Sequence, residues 1–110
     1  MVAAPEEIDI TNAPSLRSAL LEAVVHGDGT LVVDMTLTRF CDSSGLHALL
    51  AAHKRAQAVG GALIVVGAAP AILRIFELTG VDCLIPHFPS LNDALARAAP
   101  ETSRLPVHPQ

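Results

Sequence analysis

The residues with the clearest potential for chemistry are Asp42-Ser43-Ser44-Gly45, which lie between a predicted buried strand and the predicted start of a helix. The first backbone N–H groups of a helix have no partners within it, and the helix dipole is positive at that end, so an anion is stabilised there. A phosphoryl group on a serine of this first turn would bring a charge of about −1.5 to −2 to those donors. The segment therefore predicts a serine that can be phosphorylated without loss of the helix.

A purely structural interpretation of the same four residues stays open. Asp42 or Ser43 can serve only as the N-cap of the helix, because a short oxygen-bearing side chain there accepts a hydrogen bond from the first turn. Gly45 would then be an incidental small residue. Segments of this composition are common in turns, so these residues alone do not decide between the two interpretations.

Short apolar runs alternate with helical periodicity along the chain. The predicted strands cover residues 7–11, 31–35, 63–66 and 83–85. Helices are predicted to open at Asn12 and Pro14, at the Asp42 segment, at Pro70, and after Ser90, where Asp93 completes an acidic capping box. This alternation implies an α/β fold, with a mainly parallel or mixed sheet of about four strands packed by about four helices. Residues 1–99 are predicted to form a single domain, and the proline-containing residues 100–110 a flexible C-terminal tail.

The composition argues against several classes of protein. The 110 residues carry a net charge of −4 with only seven Lys and Arg, whereas nucleic-acid binding needs clustered basic residues. Residues 1–12 lack the basic start and apolar run of a signal peptide, and no apolar stretch approaches the ~20 residues of a membrane span. We therefore expect a cytoplasmic protein whose direct partners include neither nucleic acid nor membrane.

Cys41 and Cys83 stand far apart outside any CxxC spacing, which predicts free buried thiols and no disulfide or zinc site.

Three other kinds of site compete with phosphorylation as explanations. A serine hydrolase would place Ser44 in a Gly-x-Ser-x-Gly turn, but positions 42 and 46 are Asp and Leu. His47 and His53 lie on the same predicted helix as Ser44, which is a poor arrangement for a catalytic base. Their spacing also points them in different directions, so we expect both to face solvent or to be half-buried, and to bind no metal. No glycine-rich phosphate loop supports a nucleotide-binding module, and we expect no cofactor.

Five segments in order carry a resemblance to a known family. They are Glu7-Ile8-Asp9-Ile10-Thr11-Asn12-Ala13, Leu31-Val32-Val33-Asp34, Phe40-Cys41-Asp42-Ser43-Ser44-Gly45-Leu46, Gly60-Gly61 and Phe76-Glu77-Leu78-Thr79-Gly80-Val81. The Asp-Ser-Ser-Gly-Leu segment followed at this distance by Glu-Leu-Thr-Gly is fairly specific, although each alone would be weak. Over residues 7–98 the chain resembles the STAS family of anti-sigma factor antagonists, and the resemblance implies the STAS fold.

The resemblance also implies a role in transcription regulation, with no catalysis by this chain. It implies that the unphosphorylated form binds an anti-sigma factor of the histidine-kinase-like ATPase type and frees a sigma factor. The usual phosphate acceptor of the family is the second serine of the motif, which corresponds to Ser44, with Ser43 as the second choice. A phosphatase would reverse the modification. We expect the partner-binding residues to be Asp9, Asn12, Asp34, Asp42, Ser43, Gly45, Leu46 and His47.

The N-terminus departs from the pattern of the family. Its members usually begin with two strands before the segment that matches Ile8-Asp9-Ile10, and few residues precede that segment here. We therefore expect the N-terminal hairpin to be shortened or absent. A more open sheet edge invites pairing with a second copy, which allows a homodimer. The departure also keeps alternatives open: a STAS scaffold of a stressosome-like assembly that is not phosphorylated, or a nucleotide-sensing module.

Overall fold

The structure is a computed structural model that describes residues 1–27 and 29–98. Its elements in chain order are β1 (Val2–Ala3), β2 (Glu7–Ile8), α1 (Ala13–His26), β3 (Thr30–Asp34), β4 (Phe40–Cys41), α2 (Ser43–Ala58), β5 (Ala62–Val66), α3 (Pro70–Thr79), a 3₁₀ turn (Val81–Cys83), β6 (His87–Phe88) and α4 (Leu91–Ala98). The predicted tail at residues 100–110 lies outside the described residues. In the described part of the chain, no helix is both long enough and apolar enough to cross a membrane.

Four strands form a parallel sheet in the order β1-β3-β5-β6. The two longest strands, β3 and β5, pair over their whole length and place Val33 beside Val65. The strands β2 and β4 form a separate parallel pair, in which Ile8 lies beside Cys41. The predicted α/β fold class, with a mainly parallel sheet and four helices, is confirmed.

The N-terminal residues form two short strands that do not make a hairpin together. β1 pairs with β3 and β2 pairs with β4, each over two residues. The N-terminal hairpin is therefore absent within the described residues: β1 is the first strand of the four-stranded sheet, and β2 forms a two-stranded sheet with β4. The predicted strand at residues 7–11 already ends at Ile8, because the backbone N–H of Asp9 donates to Asn12 Oδ1 at 2.9 Å and the chain turns into α1.

Alternating side chains along β5 divide the core between the two faces of the sheet. Leu63 and Val65 are fully buried in the main cluster, which α1, α2 and α3 complete with Leu20, Leu49 and Phe76. Ile64 and Val66 lie in a second cluster with Ala94 of α4. Full burial of side chains of this size contributes about 1.5–3 kcal/mol each, so these contacts hold each helix against its face of the sheet.

The helix ends follow local rules that the sequence predicts. Pro14 and Pro70 stand in the first turns of α1 and α3. Gly80 ends α3 in the left-handed conformation with φ of 81°, which favours glycine. The predicted N-cap of α4 is confirmed, because Ser90 Oγ accepts from the Asp93 backbone N–H at 3.2 Å. The second contact of the predicted capping box joins the two side chains instead, since the Ser90 hydroxyl donates to the Asp93 carboxylate at 3.0 Å.

Two predictions near the C-terminal part of the sheet are wrong. The predicted strand at residues 83–85 is a 3₁₀ turn followed by a loop, in which the carbonyl of Val81 accepts from the N–H groups of Leu84 and Ile85 at 2.9 Å each. The apolar Ile85, which suggested a strand, is instead buried in the core beside this turn. The last strand of the sheet is His87–Phe88. The prediction of two buried thiols holds for Cys41, whereas Cys83 is exposed.

His53 contradicts the expectation that it would be solvent-facing or half-buried. Only 8 % of its surface is exposed, and its Nδ1 has no hydrogen-bond partner within the described residues. A buried polar atom without a partner costs about 1–3 kcal/mol. We therefore predict that His53→Leu, which keeps a similar side-chain volume and removes that atom, raises the free energy of unfolding by about 1 kcal/mol in urea denaturation followed by circular dichroism.

The matched control for this prediction is Gln57→Leu. Gln57 lies four residues further along the same helix and is exposed, so its replacement leaves the free energy of unfolding unchanged within about 0.5 kcal/mol. A loss of stability in His53→Leu would show that the imidazole has a partner, such as a bound water, and would contradict the prediction.

Candidate functional site

The start of α2 is closed by its own N-cap. The Oδ1 atom of Asp42 accepts hydrogen bonds from the backbone N–H groups of Ser44 at 2.9 Å and Gly45 at 3.3 Å. The Asp42 carbonyl also accepts from Gly45 and from Leu46. The expectation that an anion would meet free backbone donors in this turn is therefore wrong for these N–H groups, because the Asp42 carboxylate already occupies them.

The two serines of the segment differ in their exposure. Ser43 is exposed, whereas Ser44 is half-buried and lines a groove. The next two residues of the helix, Gly45 and Leu46, are buried against the core. The structure thus brings Ser44 to the boundary between solvent and core, and Gly45 and Leu46 offer little surface to a partner.

The groove beside Ser44 lies between the first turns of α1 and α2 and has a volume of about 420 Å³. Its lining residues are Ile10, Ala13, Pro14, Arg17, Ser18, Ser44, His47 and Ala48. His47 and Ala48 lie three and four residues after Ser44, so one face of α2 forms one wall. Arg17 and His47 are both exposed, and no carboxylate is among the lining residues. The Ser44 hydroxyl therefore shares a groove with two groups that can donate hydrogen bonds to an anion.

The turn before α1 is built by Asp9 and Asn12. Asn12 Nδ2 donates to the carbonyl of Glu7 at 2.6 Å, which ties this turn to β2. Asp9 Oδ1 accepts from the hydroxyl of Thr11 at 2.5 Å and from the Thr11 backbone N–H at 2.9 Å. These hydrogen bonds lower the pKa of the Asp9 carboxyl below its usual value, and the bond from the Thr11 hydroxyl has the larger effect. Asp9 is therefore a charged group on a turn whose geometry it helps to fix.

Asp34 has a similar structural role at the end of β3. Its Oδ1 accepts from the Thr36 backbone N–H at 2.9 Å and from the Thr36 hydroxyl at 2.8 Å. Asp34 does not line the groove that contains Ser44. Of the predicted site residues, Ser44 and His47 line that groove, whereas Asp9, Asn12, Asp34, Asp42, Ser43, Gly45 and Leu46 do not.

Cys41 supports the segment from below as a buried apolar group. Burial, and to a smaller extent the charge of Asp42, raises the pKa of its thiol to about 11. The thiol therefore stays protonated at neutral pH and is a poor nucleophile. Its role is packing, since it lies beside Ile8 in the β2–β4 pair under the start of α2.

Basic side chains follow the outer seam between α1 and α2, although the whole chain has a net charge of −4. Arg17 lines the Ser44 groove and also the adjoining grooves, which contain Lys54 and Arg55. His47 is among the residues predicted to bind the partner, whereas Arg17 and Ile10 are not. Ile10 follows β2, is 73 % exposed and lines the Ser44 groove. The helical periodicity of α1 predicts that Arg17 lies near the buried Leu16 and Leu20. It does not predict that Arg17 lies opposite Ser44 of α2.

The surroundings of His47 bear on the enzymatic and metal alternatives. His47 shares the groove with Ser44, but the lining residues include no carboxylate that could orient it as a catalytic base. Within residues 1–27 and 29–98, no group of three or more His, Cys, Asp or Glu side chains is arranged to hold a metal ion.

Comparisons with known proteins agree on one family. The family model of the STAS domain matches residues 1–94. The anti-sigma-B factor antagonist of Listeria monocytogenes is 32 % identical over 79 residues, which are 72 % of this chain and 69 % of that protein. An anti-sigma factor antagonist from Mycobacterium paratuberculosis has a crystal structure that superposes with a TM-score of 0.76 at 35 % identity, covering 86 % of this chain and 80 % of that one.

The fold also matches SpoIIAA of Bacillus, described as a cell fate determinant, in its phosphorylated form. That structure superposes with a TM-score of 0.64 at 22 % identity and covers 86 % of each chain. The mainly parallel sheet and the four helices match the fold of these neighbours. Since the family match spans most of the chain, this protein belongs to the STAS domain family.

Proposed function

We propose that this protein is an anti-sigma factor antagonist whose binding is switched by phosphorylation of Ser44. The unphosphorylated form binds an anti-sigma factor of the histidine-kinase-like ATPase type, and the bound sigma factor is released to direct transcription. The same partner transfers a phosphoryl group to Ser44, which ends the interaction. A separate phosphatase returns the serine to its hydroxyl form.

The observation that carries this proposal is the position of Ser44. Its side chain lines an open groove at the start of α2, while its backbone N–H is held by the Asp42 cap at 2.9 Å. The helix start is therefore fixed by Asp42 and does not depend on the Ser44 hydroxyl. A phosphoryl group on that hydroxyl leaves the cap in place and changes the charge of the surface.

The relatives support both parts of the proposal. The matched proteins from Listeria monocytogenes and Mycobacterium paratuberculosis are named as anti-sigma factor antagonists, the former acting on an anti-sigma-B factor. SpoIIAA, which shares the fold, exists in a phosphorylated form. By analogy with that form, we assign the phosphorylation of this chain to Ser44 at the start of α2.

The chemistry of the switch requires nothing catalytic from this chain. Ser44 Oγ attacks the γ-phosphorus of ATP held by the partner, the bond to the β-phosphate oxygen breaks, and ADP leaves. The serine proton passes to a base of the partner. In the reverse step water attacks the phosphorus on the phosphatase, and the serine and inorganic phosphate are released. The domain supplies the nucleophile and the surface that positions it.

The test is incubation of the purified protein with Mg²⁺-ATP and each histidine-kinase-like anti-sigma factor of the same genome, followed by peptide mass spectrometry. We predict one phosphoryl group per chain, located on Ser44. Ser43→Ala keeps full incorporation, whereas Ser44→Ala loses it.

Two other outcomes would count against the proposal. Incorporation at Ser43 alone would show that Ser43, and not Ser44, accepts the phosphoryl group. Absence of transfer from all of these kinases, while a known substrate is phosphorylated in parallel, would contradict the switch and favour a scaffold function.

A further inference from the structure

A phosphoryl group on Ser44 would find the backbone N–H groups of Ser44 and Gly45 already in use. Asp42 Oδ1 accepts from the N–H groups of Ser44 and Gly45. The carboxylate is also negative, so it repels a dianion attached to the neighbouring hydroxyl. The phosphoryl oxygens are therefore stabilised best by donors on the side of Ser44 that faces away from Asp42.

The groove beside Ser44 offers such donors. Arg17 reaches it from α1 and His47 reaches it from the next turn of α2. A guanidinium group matches the geometry of phosphate oxygens and makes hydrogen bonds strengthened by its charge. Within the described residues, the charged or titratable side chains that line the groove are Arg17 and His47, and the capping Asp42 lies on the other side of Ser44. The Asp9 carboxylate lies on the turn before α1, next to the groove-lining Ile10.

We propose that Arg17 and His47 form an internal binding site for the phosphoryl group of phosphorylated Ser44. This inference rests on the proposed function, because it concerns the modified form of the same serine. The two side chains hold the phosphoryl group in the groove between α1 and α2 and partly neutralise it there. Phosphorylation then changes the shape of the groove as well as its charge, because it joins two side chains that are separate in the unmodified protein.

The other basic residues of the seam are too distant to take part. Lys54 and Arg55 lie ten and eleven residues after Ser44 on α2, which corresponds to about 15–17 Å along the helix axis. Exposed charges separated by more than about 8–10 Å are largely screened at physiological salt. Arg55→Gln is therefore a matched control that removes the same charge from the same seam.

The experiment uses phosphoserine incorporated genetically at position 44, and so needs no kinase. The ³¹P chemical shift is followed against pH to give the pKa of the phosphoserine, which is about 6 when free. A nearby cation favours the dianion and lowers this pKa. We expect Arg17→Gln to raise the midpoint by about half a unit or more. His47→Ala raises it by a smaller amount, and Arg55→Gln leaves it unchanged.

The salt dependence of this midpoint is a second measurement. If Arg17 had only a structural role, the difference caused by its replacement would not depend on salt. At 1 M salt the screening length falls to about 3 Å, so the difference between Arg17→Gln and the unmutated protein shrinks. Equal midpoints for the two proteins at low salt would overturn the proposed site. Failure of every kinase to modify Ser44 would instead overturn the proposed function, and the ³¹P result would stand independently.

Discussion

Phosphorylation of Ser44 is expected to weaken binding of the anti-sigma factor by about a hundred- to several-thousand-fold. Arg17 and His47 neutralise the dianion only in part, so docking of the partner buries negative charge that is not fully compensated. Such a charge costs about 3–5 kcal/mol, and each 1.4 kcal/mol corresponds to a tenfold change in affinity. The new dianion would lie beside Asp42, whose carboxylate is fixed at the start of the same helix. Isothermal titration calorimetry of the phosphorylated and unmodified proteins with the purified partner measures the change.

Substitutions at position 44 separate the effect of charge from the effect of shape. Ser44→Ala is expected to bind as tightly as the unmodified protein, and Ser44→Asp at least about tenfold more weakly, because it carries one negative charge of the two. Ser44→Asn has nearly the shape of Ser44→Asp without the charge, so it should bind much better than Ser44→Asp. Equal affinities for the Asp and Asn variants would contradict a mechanism based on charge.

The features predicted correctly from the sequence are those set by neighbouring residues. The start of α2 at Asp42 and the N-cap of α4 at Ser90 depend on side chains that bond to backbone atoms two or three residues away. The end of α3 depends on the left-handed conformation of Gly80 alone. Such features need no knowledge of the rest of the fold, so local composition is enough to locate them.

The features missed depend on contacts between distant parts of the chain. β1 and β4 have two residues each, and their partners β3 and β2 lie about thirty residues away along the chain. The apolar Ile85 suggested a strand, but it is buried beside a 3₁₀ turn, and a short apolar run does not distinguish these environments. The position of Arg17 opposite Ser44 likewise follows from the packing of α1 on α2, which no local pattern specifies.

Gly45 is expected to be the least replaceable residue of the Asp-Ser-Ser-Gly segment. A Cβ atom at this position would lie 2.5 Å from Cys41 Sγ and 2.6 Å from Ile8 Cγ2, well below the ~3.5–4.0 Å of ordinary carbon contacts. Cys41 and Ile8 are 2 % and 0 % exposed and belong to the strands under the helix. Neither side chain can move aside without disturbing the core.

We predict that Gly45→Ala lowers the free energy of unfolding by about 2 kcal/mol. Alanine in a helix gains about 1 kcal/mol over glycine, and overpacking of a filled core costs about 1–3 kcal/mol, with more when two contacts are violated together. The overlap with both neighbours makes the packing cost the larger effect here. Urea denaturation followed by circular dichroism measures the difference, and slower phosphorylation of Ser44 is expected because the start of α2 is displaced.

A second background tests whether packing causes this loss. In Cys41→Ala the Sγ atom is absent, so the further addition of Gly45→Ala meets only Ile8 and should cost less than it does in the unmutated protein. A gain of about 1 kcal/mol from Gly45→Ala alone would show that helix propensity outweighs packing and that the core under α2 yields easily. The predicted loss would instead identify Gly45 as the residue that lets the Ser44 turn lie directly on the β2–β4 pair.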